Sequence, residues 1–109
     1  QRAIALEPRY APARVNLARL ALAAGDLATA LEQLQRAVRD APGYARGHSL
    51  LGAAYLMAGD VARALPELEA AVRLDPTSTA AWRNLARARM LSGDTAGAEA
   101  ARARARRRR

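Results

Sequence analysis

The 109-residue chain contains no Cys, no Lys and no Phe. Without Cys there is no disulfide and no thiolate metal site. With His48 as the single histidine, neither a zinc cluster nor a Cys–His nucleophile can be assembled. No apolar run approaches the roughly 20 residues that span a bilayer, and no secretory signal pattern opens the chain. Aromatic residues are limited to Tyr10, Tyr44, Tyr55 and Trp82, and β-branched residues are few, which disfavours a sheet. Glycines do not cluster into a phosphate loop or a dinucleotide fingerprint. What remains in quantity is Ala and Arg. An apolar set dominated by Ala favours closely packed helices, so an all-α chain is expected.

The formal charge of +8 is carried entirely by Arg. Residues 1–101 hold twelve Arg against ten acids, whereas six Arg fall in residues 102–109. The body is therefore close to neutral and the basic character belongs to the tail. Such a tail invites a nucleic-acid reading through phosphate contacts, but it lacks interleaved aromatics on which bases could stack, and that reading stands as an alternative only. Arg and Ala in place of Lys is the composition of a GC-rich, bacterial genome. The missing Cys leaves cytoplasm and periplasm equally open.

Sliding the chain along itself finds one period. Residues 11–44 align with 45–78 without a gap and match at fourteen of thirty-four positions, among them Leu17/Leu51, Gly25/Gly59, Asp26/Asp60, Ala30/Ala64, Leu34/Leu68, Ala37/Ala71 and Pro42/Pro76. A third copy starts at Thr79, with Trp82, Leu85, Ala86, Gly93, Asp94 and Ala98 in register. Ala3 and Pro8 stand in the same relation to Ala37 and Pro42, so residues 1–10 are expected to end a further, truncated repeat. Each unit reads as two helices. Gly25, Gly59 and Gly93 suit a left-handed helix end, the Asp after each suits the next N-cap, and Pro42 and Pro76 close the unit. Helices are expected near 11–24, 27–40, 45–58, 61–74, 79–92 and 95–107, with a slight bend at Pro66.

The second unit carries His48-x2-Leu51-Gly52-x2-Tyr55, then Ala64-x3-Leu68, Ala71 and Pro76. Together with the period, this resembles the tetratricopeptide repeat. His48 occupies the place usually held by Trp, which the third unit does have as Trp82. The resemblance implies a right-handed superhelical solenoid of antiparallel helix pairs: three units at 11–44, 45–78 and 79–109, six helices plus the truncated one. It also implies no catalysis, no cofactor and no metal, and a concave face that binds a peptide or helix of another protein. Transferred through the register, the peptide-binding candidates are Asn16, Arg19, Arg46, Leu50, Arg83, Asn84 and Arg87, with Ser49 and Ala53 beside them. Four Arg, two Asn and no acid suggest an acidic peptide or a terminal carboxylate, since Arg can hold a carboxylate through two parallel hydrogen bonds. The carboxylate clamp of chaperone-binding relatives corresponds to Val15, Arg19, Leu50, Ala80 and Asn84, of which only fragments match, so chaperone binding is disfavoured. A regulatory appendage on an enzyme is a further alternative.

The third unit departs from the pattern in one direction. Leu31/Leu65 becomes Glu99, Leu34/Leu68 becomes Arg102 and Val38/Val72 becomes Arg106. The Ala side remains, so residues 95–107 are expected to taper into a polar C-terminal cap of the kind a solenoid needs, followed by the Arg-rich tail. At the other end, loss of the preceding repeat is expected to expose parts of Val15, Leu20 and Leu22 and to permit self-association there.

Overall fold

A computed structural model describes residues 10–107. The truncated repeat expected from Ala3 and Pro8, and the tail residues Arg108 and Arg109, lie outside the described residues. Six helices follow one another: α1 (Ala11–Ala23), α2 (Leu27–Asp40), α3 (Ala45–Met57), α4 (Val61–Leu74), α5 (Thr79–Leu91) and α6 (Thr95–Arg107). They pair within each unit, α3 packs on α2 and α5 on α4, and α1 touches α3 as α3 touches α5. The result is an elongated all-α solenoid of 46 × 25 × 22 Å.

The helix boundaries follow from a two-residue device used three times. Gly25, Gly59 and Gly93 take φ of 81°, 79° and 91°, a left-handed conformation open to Gly at no steric cost. The amides of Asp26, Asp60 and Asp94 then bond back to Ala21, Tyr55 and Arg89 at 2.8 Å each, which uses a carbonyl the helix end leaves free. Each Asp carboxylate turns forward and accepts the amide of Thr29 (3.2 Å), Arg63 (3.1 Å) or Gly97 (2.9 Å). Hydrogen bonds from the Thr29 side chain and amide hold the Asp26 carboxyl below its ordinary range. One helix is closed and the next opened in two residues. Pro66 does not break α4, which runs unbroken from Val61 to Leu74 with the proline on its exposed side.

Small residues sit where the paired helices cross. Ala18, Ala30 and Ala37 in the first unit are fully buried, as are Ala64 and Ala98 in the later ones, and Ala71, Ala86 and Ala105 nearly so. Leu34 and Leu68 fill the space between, both at 0% exposure. The fit is close at Gly52, where an added Cβ would lie 2.5 Å from Leu68 Cγ. Val15 is fully buried too, contrary to the exposure expected of it. It shares a register position with Ser49 and Arg83, which line the clefts toward the following helices, so that position faces along the array in the C-terminal direction. Leu20 and Leu17 are exposed at 69% and 54%, and Leu22 is half-buried. Leu51 and Leu85, the register equivalents of Leu17, are buried on helices that pack against α2 and α4 respectively.

The fourth position of each unit holds three different residues in the same slot. In the second unit His48 Nε2 donates to the Pro42 carbonyl at 2.6 Å while Nδ1 lies 2.9 Å from Glu67 Oε1. In the third, Trp82 Nε1 donates to the equivalent Pro76 carbonyl at 2.8 Å. Glu67 has Ala101 as its counterpart there, and Arg104 stacks over the indole, 4.4 Å from its centroid. In the first unit, Arg14 reaches Gln33 Oε1 at 3.3 Å, the register equivalent of Glu67, and pairs with buried Asp40 at 3.3 Å. A polar residue in the slot meets a polar partner nineteen residues on, and Trp meets Ala.

Leu51→Ala is expected to cost about 2–5 kcal/mol in chemical denaturation, as for a buried Leu truncated in a packed core. The slot pairing predicts coupling. His48→Trp leaves Glu67 without its partner, and His48→Trp with Glu67→Ala recreates the third unit's pair. The double variant should exceed the sum of the singles by about 1 kcal/mol; strict additivity would show that the slot is not matched to its partner.

Candidate binding clefts

Two clefts open on the first helices. A groove of about 320 Å³ lies between α3 and α5. Arg46, Ser49 and Leu50 project into it from α3, Ala80 and Asn84 from α5, and Asp75 from the end of α4. A larger slot of about 590 Å³ lies between α5 and α6, edged by Arg83 and Arg87 on one helix and Arg102 and Arg106 on the other.

The seven residues expected on one continuous face are thus divided. Arg46, Leu50 and Asn84 meet in the groove, Arg83 and Arg87 meet in the slot, and Asn16 and Arg19, exposed on α1, line neither. Asp75, outside that set, joins the groove, its Oδ1 accepting from the Thr77 amide (3.1 Å) and hydroxyl (2.5 Å). Asp75 caps a turn and faces the groove at once, and nothing in the pattern of first-helix positions points to it. Arg102 and Arg106 were legible as departures from Leu and Val, but a polar residue at a core position reads as a solvent face until a cleft is seen beside it.

The arginines of the first helices divide into paired and unpaired ones. Among the described residues, Arg19, Arg46, Arg83 and Arg87 make no ion pair or hydrogen bond with another side chain, whereas Arg14, Arg36 and Arg63 are each paired with an acid. Of these four, Arg46 lines the groove and Arg83 and Arg87 the slot. An arginine fork, an Asn amide and the apolar Leu50 can hold a carboxylate, a peptide backbone and an aliphatic side chain in turn. The Ser–His pairing open to Ser49 and His48 is not made: both ring nitrogens of His48 are turned to Glu67 and Pro42.

The basic tail is partly committed to the fold. Arg102 donates to Glu99 at 2.7 Å and Arg104 covers Trp82, while Ala98, Ala101 and Ala105 are buried at 0%, 0% and 4% exposure. Arg106 and Arg107 remain exposed. None of the described helices is long and apolar enough to cross a membrane.

Family models described as tetratricopeptide repeat match residues 1–45 and 15–79 in one case and 55–109 in another. The chain is similar to the TPR2AB domain of yeast Sti1 in a complex with an HSP90 peptide, at 22% identity and a TM-score of 0.87, covering 97% of this chain and 41% of that one. It is also similar to the second TPR of Spaghetti (RPAP3) bound to the HSP90 peptide SRMEEVD, at 18% identity and a TM-score of 0.86, over 90% and 91% of the two chains. The globular C-terminal domain of P. aeruginosa LpoP is 30% identical with a TM-score of 0.77, over 88% and 94%. The chain thus spans less than half of the Sti1 structure it resembles. No curated protein sequence matches it.

The packing of α6 predicts protection from trypsin. Cleavage after Arg107 should precede cleavage after Arg102 by at least about tenfold in rate, because the latter needs local unfolding of a helix whose Ala face is buried. Equal rates, read by mass spectrometry at early times, would show α6 to be detached.

Proposed function

The chain belongs to the tetratricopeptide repeat family, and on that footing we propose that it is a non-catalytic scaffold that binds an extended, acidic segment of another protein in the groove between α3 and α5. The observation that carries this reading is Arg46, unpaired at the groove's edge, opposite Asn84 and beside Leu50. Arg46 supplies a fork for one carboxylate, Asn84 an amide for the peptide backbone, and Leu50 an apolar contact between them. Asp75, also in the lining, disfavours acid beside it, so the preferred peptide is not acidic throughout.

Two structural neighbours hold HSP90 peptides, which supports peptide capture as the class of function. The ligand proposed for this chain is a different one. Of the positions that correspond to a terminal-carboxylate clamp, Val15 is in the core and Leu50 and Ala80 carry no donor. The exposure of Leu17 and Leu20 supports α1 as the helix through which self-association would occur. The tail offers little to nucleic acid, since two of its described Arg are engaged with Glu99 and Trp82.

A peptide array graded in Asp and Glu content tests the reading. Binding should rise with acidic content, and Arg46→Glu should weaken the best peptide by about tenfold or more, equivalent to about 1.4 kcal/mol. Equal capture of neutral and acidic peptides, or of the best peptide by both proteins, contradicts it. The SRMEEVD peptide should bind no better than acidic peptides lacking its C-terminal sequence.

A further inference from the structure

The groove between α3 and α5 holds one charge of each sign, and the two are not joined. Among the described residues, Arg46 and Asp75 are the charged side chains of its lining, and no ion pair includes either of them. Its walls come from α3, the end of α4 and α5, consecutive helices inside the array. A base and an acid left apart in a groove of about 320 Å³ present two separate sites for charge on a ligand.

The surroundings of Asp75 keep it available. Its Oδ1 takes both hydrogen bonds from Thr77, one from the amide and one from the hydroxyl, and Oδ2 takes neither. Asp75 is also the C-cap of α4, where a helix end carries partial negative charge. Carboxylate and helix end therefore add, and both favour a cation. Register shows that the charge pair is not a by-product of the repeat. The place of Arg46 is held by Pro12 in the first unit and Ala80 in the third, and that of Asp75 by Ala41 and Arg109. Only the second unit sets a base and an acid at these two places.

We infer that this groove selects a segment carrying one acidic and one basic side chain at alternate positions of an extended strand. The inference rests on the peptide reading given above for the same groove and adds the second charge to it. Side chains two residues apart on a strand point to one face. The acid then meets Arg46 and the base meets Asp75, while the residue between them turns away. Ala45, Ala71, Ala80 and Ala81 let the main chain come close, and Ser49 and Asn84 offer it hydrogen bonds. Bulk charge predicts the opposite preference. The chain carries a formal charge of +8, so adding a base to a ligand weakens the general attraction. A gain from that base needs a local acid.

Four end-capped, dye-labelled peptides supply the test. The first is Gly-Ala-Glu-Ala-Lys-Ala-Gly; the others have Gln in place of Lys, of Glu, or of both. Each is titrated with the 109-residue chain and followed by fluorescence anisotropy. The Glu/Lys peptide should bind about threefold or more tightly than the Glu/Gln peptide, the scale of a solvent-exposed ion pair. Asp75→Asn should remove that gain and leave the Glu/Gln peptide bound as before, because Asn can still accept from Thr77. The inference is overturned if Lys brings no gain, or if the gain survives in Asp75→Asn; the preference for an acid can stand in either case. The peptide reading fails separately, when the Glu/Gln peptide binds no better than the Gln/Gln peptide, and this inference then falls with it. Absence of binding by all four peptides overturns both.

Discussion

Everything in this molecule depends on how closely the two helices of a unit approach. The crossing is made by Ala, or by Gly at position 52, and the approach is close enough that one methyl group on Gly52 would strike Leu68. Dispersion and burial at such a crossing come from many small contacts rather than from a few large side chains. That is how a chain with four aromatic residues still forms a continuous core. It also explains why the repeat is so regular: the distance between helices is set by the smallest residues, and these are the ones shared by all three units.

Against that constant framework the units differ in a controlled way. The slot at the start of each first helix accepts Arg14, His48 or Trp82, and the residue opposite changes with it. A buried polar group needs a partner, and a large apolar ring needs room. The two nitrogens of His48 both face oxygen, one the Pro42 carbonyl and the other the Glu67 carboxylate. Trp82 needs only its one donor, and the space beside it is closed by Ala101 and the plane of Arg104.

Most of the fold was legible in the sequence because it is written by backbone requirements that few residues meet. Gly before Asp every thirty-four residues admits one reading, and the helix ends fall within a residue of where it places them. The clefts were less legible, for a specific reason. Register along the first helices identifies which side chains turn toward the binding side, but not which second-helix residues complete the walls. Asp75 enters from the end of α4, and Arg102 and Arg106 from α6. Val15 shows the converse error, a residue assigned to an open edge although its register position faces the next unit.

The matched slots bear on how such a chain can grow. Arg14 and Gln33 lie within one unit, as do His48 and Glu67, so the slot contacts that depend on side-chain identity stay in the segment that encodes them. The contact that crosses a unit boundary, from His48 or Trp82 back to Pro42 or Pro76, ends on a main-chain oxygen, which every residue provides. A duplicated or transplanted unit therefore carries its own matched slot pair with it, and the slot asks of the neighbouring unit only a carbonyl, while Gln35 of the first unit also donates to the Tyr55 hydroxyl of the second at 3.1 Å. Insertion of whole units, rather than point substitution in the slot, is the change this architecture tolerates by construction.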